Sequence, residues 1–353
     1  MAMKESGIEW VGSIPDTWDV IPNKYIMHKE KNLCEKWTGE DVMSLTMNGV
    51  IVRDLQNPTG KMPATFDGYQ YIEDGDLLMC LFDIDVTPRC IGKVTHNGVT
   101  SPAYSNFKTH DNASRDYYYY YYLMVDNTKE LLHLAKNLRH SFTEEQLGSL
   151  KVPMPPLTEQ QVIADYLNEK CSKIDDIIAE ANASVEEYKE LKQAVIDNAT
   201  MTGIHDSEMK YTDYVWFPEM PKSWNLVLAS LLFREDVRPI DANDVSLSLS
   251  QVDGLIPTDD MSERSLKSAT HDNWKHVIPD DLVLNRFKGH LGVFFASKYT
   301  GMVSFHYGVY HAIRDDVYAK YYEYLFHSTT YKNIFALKSN GITVGLQNLS
   351  NGN

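Results

Sequence analysis

The sequence contains four cysteines in 353 residues, Cys34, Cys80, Cys90 and Cys171, and none forms a C-x-x-C pair. A structural zinc site or a disulfide framework needs closer, paired spacing, so these thiols are expected to be reduced and partly buried, as in a cytoplasmic protein. Long apolar runs are missing too. No stretch approaches the ~20 residues that cross a bilayer, and no membrane partner is expected. The opening residues Met1–Ser6 have no apolar core of a secretion signal. Basic side chains are scarce: 33 Lys and Arg against 49 Asp and Glu give a net charge of −16. Duplex DNA is held largely through its phosphates, so this balance counts against a nucleic-acid partner. The deficit is uneven, however: −6 over residues 1–155, −7 over 156–206 and −3 over 207–353. The regions flanking the middle are only mildly acidic and can still present local positive surfaces.

Catalytic equipment is also lacking. There is no G-x-G ahead of a helix, and the one Pro-Pro, in Met154-Pro155-Pro156-Leu157, lacks the amide and aromatic of an adenine methyltransferase motif. No G-x-x-x-x-G-K-[ST] phosphate loop occurs, and twelve histidines include no H-E-x-x-H. Pro279-Asp280 could open a metal-dependent nuclease motif, but no acidic-x-Lys follows, and the pair reads as the start of a strand. Asp83 and Asp85 read as a loop. No catalytic residue, metal or cofactor is expected on this chain.

What is present is a repeat. Hydrophobic residues at 43% and charged residues at 23% suit a folded protein, and the length suits about two units. Pro15/Trp18 is echoed by Pro221/Trp224, Asp76-Leu77-Leu78 by Asp281-Leu282-Val283, and Gly98-Val99-Thr100-Ser101 by Gly301-Met302-Val303-Ser304. Tyr119–Leu123 is echoed by Tyr321–Leu325. The echoes keep their order while their offset shrinks from 206 to 202, as small loop deletions would cause. The chain is expected to hold two copies of one domain and to read two similar things.

Between the copies lies a helical signal. After Pro155-Pro156, Thr158 with Gln161 fits a capping box. Apolar residues then recur at heptad spacing through Leu167, Ile174, Ala181, Tyr188 and Val195, widened by Ile163, Ile177, Ile178, Val185 and Leu191. No glycine or proline intervenes before Gly203. About 45 residues at ~1.5 Å each predict a rod of roughly 65 Å, whose narrow seam calls for a partner helix. The expected division is residues 1–155, a spacer helix at 156–203, and residues 204–353. Both copies read as mixed α+β: Asp41–Thr46, Gly75–Phe82, Asp281–Leu284 and Gly292–Ala296 as strands, Thr128–Leu138 and Tyr318–Leu337 as helices, and Tyr117–Tyr122 as a helix start or strand-to-helix junction.

Lys4-Glu5-Ser6-Gly7-Ile8-Glu9-Trp10-Val11-Gly12-Ser13-Ile14-Pro15-Asp16-Thr17-Trp18 resembles the opening of the specificity subunits of type I restriction–modification systems. Pro155-Pro156-Leu157-Thr158-Glu159-Gln160, leading into Ile163-Ala164-Asp165-Tyr166-Leu167, resembles their entry into the first spacer helix and is the most specific element. Asp281–Lys288 and Gly301–Ser304 resemble a target-recognition core. The resemblance covers nearly the whole chain. It implies two mixed α/β target recognition domains joined by a coiled-coil-type helix and bound to double-stranded DNA, each reading half of a split target. It also implies docking to modification subunits, which use S-adenosylmethionine to methylate adenine, and a restriction subunit as a further partner. The family's second spacer helix has no counterpart after Gly341-Ile342-Thr343-Val344, so the seam is expected to pair with another chain, including a copy of itself. The alternative is a coiled-coil adapter whose duplicated domains bind protein.

Arginine suits guanine, asparagine and glutamine suit adenine, and lysines and hydroxyls hold phosphates. DNA-contact candidates are Asn48, Arg53, Lys61, Arg89, Lys93, Asn97, Tyr104 and Lys108 in the first copy. In the second they are Gln251, Lys267, Asn285, Arg286, Lys288, His290, Lys298 and His306. Arg286 and Lys288 lead, because residues two apart on an extended segment face one side.

Overall fold

A computed structural model describes residues 2–58, 62–87, 89–135, 140–250, 253–261, 271–338, 340–343 and 346–348. The chain forms two compact units, Met1–Ala179 and Glu180–Asn353.

Besides the two-stranded pairs Met3–Glu5 with Ser13–Pro15 and Asp19–Pro22 with Lys151–Met154, the first unit holds two larger sheets. One is fully antiparallel, in the order Ile91–Lys93, Leu77–Met79, Ser105–Thr109, Met27–Glu30. The other runs Leu33–Cys34, Tyr69–Ile72, Gly98–Thr100, Val42–Thr46, Gly49–Val52, and its one parallel pair joins Gly98–Thr100 to Val42–Thr46. The second unit repeats both, except that among the described residues the edge strand Leu33–Cys34 has no counterpart. Its antiparallel sheet runs Phe294–Ala296, Leu282–Asn285, Tyr307–Ala312, Phe233–Glu235. Its other sheet runs Lys275–Val277, Gly301–Val303, Val245–Ser250, Gly254–Pro257, again with one parallel pair, Val245–Ser250 with Gly301–Val303. Two units with the same strand order and the same single parallel pair are two copies of one fold.

The echoed residues are those the backbone requires. A Cβ on Gly98 would lie 2.5 Å from the Asp41 carbonyl oxygen, and one on Gly301 would lie 2.4 Å from that of Val245. The parallel crossing therefore admits only glycine at both equivalent places. Asp76 and Asp281 are buried, and each accepts a hydrogen bond from the backbone N–H three residues upstream, Glu73 at 3.0 Å and Ile278 at 2.9 Å. The carboxylate closes the turn into the central strand. Burial holds the Asp76 carboxyl above the usual range. Trp18 N–H donates to Pro15 (3.0 Å) and Trp224 N–H to Pro221 (2.9 Å), the same tight turn twice.

The tyrosine run is helical. Helix α1, Arg115–Asn127, starts on the Ser114 side chain, which accepts from Tyr117 N–H, and buries Tyr117, Tyr118, Tyr121, Tyr122 and Val125 on one face. Tyr118 is fully buried and donates to the Pro153 carbonyl at 3.0 Å. The helix thus lies upstream of the expected Thr128–Leu138, and among the described residues of that range the regular structure is a short 3-10 turn, Glu130–His133. A complete capping box instead opens α2, Glu144–Ser149, from Thr143 and Gln146.

Helix α3 spans Leu157–Thr202, 46 residues, and ends where Gly203 takes a φ of +83°. Its first residue, Leu157, lies two before Glu159, where a cap at Thr158 would have started it. Thr158 lies inside it and caps nothing, and the Pro156 carbonyl accepts from Glu159 and Gln160 instead. Gln160 is fully buried, donates to the Pro155 carbonyl at 2.8 Å and accepts from Ser114 N–H at 2.8 Å, tying the starts of α3 and α1 together. Trp18 Nε1 donates to Glu159 at 2.9 Å. Of the expected seam, Ile163 packs on the first unit's core and Leu167 is half-buried, whereas Ile174, Ile177, Ala181, Tyr188, Leu191 and Val195 are exposed. In the second unit the stretch expected as one helix over Tyr318–Leu337 is two, α4 (Ala319–Phe326) and α5 (Thr329–Lys338). The C-terminal part of α3 is held to them: Asp197 accepts from Thr329 N–H at 2.9 Å and Gln193 donates to the His327 carbonyl at 3.1 Å.

Two outcomes follow. Gln160→Ala leaves the buried Ser114 N–H without its partner and lowers stability by ~1–3 kcal/mol, read as an earlier unfolding transition for the first unit. His327 lies against Phe295, ring centroids 4.8 Å apart, and burial holds its pKa down at about 4 against an ordinary 6.5. Only the unfolded chain takes up this proton between those values, so the contribution is complete above pH ~6.5 and lost as pH falls towards 4. Relative to His327→Phe, the wild type loses on the order of 2–3 kcal/mol across that window in urea unfolding. A constant difference would show that the imidazole does not titrate this way.

Candidate nucleic-acid interface

In the second unit the central strand Leu282–Asn285 leaves its sheet at Asn285, which pairs with Tyr307, and the chain turns through Arg286-Phe287-Lys288. Asn285 is half-buried, and its side-chain oxygen accepts from Phe287 N–H at 3.1 Å, which holds the turn. Phe287 is then exposed and lies against His306, ring centroids 4.6 Å apart, while Phe305 lies 3.8 Å from the same imidazole. All three rings face solvent. Lys288 is exposed beside them, and its N–H returns to the Asn285 carbonyl at 3.1 Å.

Arg286 is half-buried and set by a charge network. Glu235 accepts from Arg286 Nη2 at 2.5 Å and from the buried Lys275 ammonium at 3.0 Å, and Lys275 also reaches the Tyr307 carbonyl at 2.7 Å. One carboxylate shared by two cations lets the low-dielectric edge of the sheet hold a guanidinium in one orientation. Behind it, Asp281 binds Arg238 and, at 3.4 Å, His311. The arrangement combines an arginine held by Glu235, an exposed lysine, an amide and a stack of aromatic rings on one exposed corner. That combination can pair with a base edge, meet a phosphate and stack on a flat ring.

The other candidates fall into distinct settings. Asn48 is exposed in the turn between Val42–Thr46 and Gly49–Val52, its N–H on the Thr46 hydroxyl at 3.1 Å. The half-buried Arg89 reaches the same turn, with Nη1 3.8 Å from where a Cβ of Gly49 would stand. The structure thus brings Asn48 and Arg89 together. Arg53 is half-buried just after the second of those strands, its N–H on the Val42 carbonyl. Lys93 pairs with Asp116 at 3.0 Å. Lys108 pairs with Glu73 at 2.7 Å and Glu30 at 3.0 Å, and those two carboxylates raise its pKa. Asn97 is an exposed turn residue accepting from Asp74 N–H at 3.0 Å. Tyr104 packs against the Met43, Val50 and Leu78 cluster. Lys298 is exposed beyond the strand Phe294–Ala296, and His290 belongs to a 3-10 turn, Gly289–Leu291. Lys61, Gln251 and Lys267 lie outside the described residues. Phe287 and Phe305 were not among the expected residues, although the alternation of Arg286, Phe287 and Lys288 was a visible sign of a ring between two cations.

Among the described residues no group of three or more His, Cys, Asp or Glu is placed to hold a metal ion, and no helix is long and apolar enough to cross a membrane. The described cysteines are free, with Cys34, Cys80 and Cys90 buried. Burial pushes the Cys90 thiol up to about 12.

No curated protein matches the sequence significantly. A family model, the type I restriction modification DNA specificity domain, matches residues 84–187. A chain from a solved structure concerned with complex assembly and conformational transition of the type I R-M system superposes with a TM-score of 0.58 at 12% identity, covering 95% of this chain and 85% of that one. The HsdS subunit from Thermoanaerobacter tengcongensis aligns with a TM-score of 0.48 at 13% identity, over 95% of this chain and 84% of that one. The sequence match reaches from the loop after the central strand of the first unit into α3, and over those residues this chain is similar to the DNA specificity domain of type I restriction–modification systems.

Proposed function

We propose that the chain is a non-catalytic subunit that recognises a bipartite duplex DNA target, one half read by each unit, and presents that DNA to modification subunits. The observation that carries this reading is the duplication. The same two sheets occur twice with the same strand order and the same single parallel pair, and the family model over residues 84–187 is one for DNA specificity. A repeated recognition fold suits a target in two parts. In the second unit the contact would be made by Arg286, Lys288, Asn285 and the rings of Phe287, Phe305 and His306. In the first it would involve Asn48 and Arg89 with Arg53, and Lys93, Asn97, Tyr104, Lys108, Lys298 and His290 would stand at the margins. S-adenosylmethionine belongs to the modification subunit, which methylates adenine, and a restriction subunit would complete a cleaving assembly.

The exposed stripe of α3 supports a helical partner. Ile174, Ile177, Ile178, Val185, Tyr188, Leu191 and Val195 each keep half or more of their surface open, which costs ~25 cal/mol for each Å² of apolar area left in water. A helix from a modification subunit or from a second copy of this chain would cover it. The same stripe is what a coiled-coil adapter would show.

Salt separates the two readings. In gel-shift titrations a DNA-recognition subunit with its modification partner loses affinity steeply as salt rises, by roughly 0.9 in log K per log salt for each phosphate contact. Arg286→Ala weakens the specific target by ~1–3 kcal/mol, while Lys288→Ala weakens all duplexes alike and flattens the slope by about one. An adapter shows no salt-dependent duplex binding, and neither substitution alters its affinity.

A further inference from the structure

The exposed corner at Asn285–Lys288 has a counterpart in the first unit, and the strand registers fix which residues correspond. Leu77 faces Phe107 and Met79 faces Ser105 in the first unit, as Leu282 faces Tyr310 and Leu284 faces Gly308 in the second. Across the next pairing Met79 meets Ile91 and Leu284 meets Phe294. Met79 and Leu284 are therefore the same place, and three residues beyond them stand Phe82 and Phe287. The turn ahead of the facing strand agrees: Tyr104 N–H donates to the Ser101 carbonyl at 3.1 Å, and Tyr307 N–H to the Ser304 carbonyl at 3.0 Å. Phe82 is 38% exposed and Phe287 40% exposed. Single exposed apolar residues are ordinary, but the same ring at the same place in both copies is a property of the fold.

The surroundings of the two rings are opposite in chemistry. By the same correspondence Leu81, Asp83 and Ala103 take the places of Arg286, Lys288 and His306, and Pro102 that of Phe305. Leu81 is buried in the first unit's core. The turn is held from behind: Phe142 N–H donates to the Leu81 carbonyl at 2.7 Å, and the buried Ile84 donates its N–H to the His140 carbonyl at 3.3 Å. Thr87 N–H closes the turn on the Asp83 carbonyl at 2.9 Å. Phe82 and Val86, the latter 72% exposed, are the apolar side chains this turn leaves in water. Between them the chain carries Asp83 and Asp85 and no cation.

We propose, resting on the duplex-recognition reading above, that Phe82–Val86 is the base-reading turn of the first unit and that Phe82 with Val86 reads the 5-methyl group of thymine in the major groove. Two carboxylates repel phosphate, so the turn is unsuited to holding the DNA backbone. Of the groups that base edges show in the major groove, the thymine methyl is the apolar one, and phenylalanine is among the side chains that contact it. Arg89, which ends the same loop and reaches the Asn48 turn, supplies the positive charge. A turn fixed in advance loses little freedom on binding. The two units thus select by different means, the second by polar pairing from Arg286 and Asn285 and the first by apolar fit.

The test uses the wild-type chain with its modification subunit and a duplex that this pair selects from a random pool. Each thymine of that duplex is replaced in turn by deoxyuridine, which removes the methyl and keeps the hydrogen-bonding edge. The element that Arg286→Ala relaxes belongs to the second unit, so the effect is expected in the other element. There, at one thymine or more, affinity falls about fourfold, as for a lost buried methyl. Phe82→Ala lowers affinity for the thymine duplex by at least as much and erases the deoxyuridine effect, while the salt slope and the affinity for non-specific duplex stay unchanged. Phe82→Leu keeps the deoxyuridine effect. Asp83→Lys raises affinity for all duplexes and steepens the salt slope by about one phosphate contact. An element without thymine, equal affinity for every deoxyuridine duplex, or a deoxyuridine effect that survives Phe82→Ala overturns the proposal. In those cases a wild type that still binds a two-part target leaves the recognition reading intact. A wild type with no salt-dependent duplex binding overturns both. The deoxyuridine series is read on unaltered protein, so it stands even where a variant fails to fold.

Discussion

The close approach of two parallel strands in each unit is the constraint on which the rest depends. At Gly98 and Gly301 there is no room for a Cβ beside the carbonyls of Asp41 and Val245. If either strand moved apart to admit a larger residue, the parallel pair would lose its hydrogen bonds and the sheet its order. Because the same restriction acts in both units, the strand order is repeated, and the loops that leave these sheets come out in corresponding places. Asp76 and Asp281 serve the same frame by closing the turns into the two central strands. In the second unit that strand delivers Asn285 and Arg286 to the exposed corner.

Helix α3 answers to different forces. At its start it is fixed by buried polar groups, above all Gln160, and at its end by Gln193 and Asp197 against α4 and α5. Between these anchors its apolar residues lie open. An isolated helix draws little stability from propensity alone, so the exposed stripe is a surface in need of a cover.

Much of this was legible in the sequence because the echoed residues answer to local backbone demands. A tight turn, a carboxylate closing a turn and a glycine at a crossing leave the same residue types in both copies, and the heptad pattern with Gly203 behind it located the long helix. What was not legible depended on residues far apart in the chain. Thr158 had the sequence of a cap, but Pro156 already ended the preceding strand segment, and the helix began before Thr158 could cap it. The burial of Gln160 depends on Ser114, 46 residues away. The tyrosines and the helix after them were displaced by a few residues because inward packing of Tyr117, Tyr118, Tyr121 and Tyr122 outweighed local preference. At the candidate interface, the side chains of Arg286, Lys288 and Asn285 were visible as chemistry. The carboxylate that orients Arg286 comes from Glu235, 51 residues away, and the ring partner of Phe287, His306, comes from the residue just before the neighbouring strand Tyr307–Ala312.

The most direct measurement is selection of bound duplexes from a random pool, using the chain with its modification subunit. Two copies of one recognition fold predict a target with two specified elements separated by unspecified bases, in which substitutions at the Asn285–Lys288 corner relax only one element. A single continuous element, or one that those substitutions degrade uniformly along its length, would contradict the account.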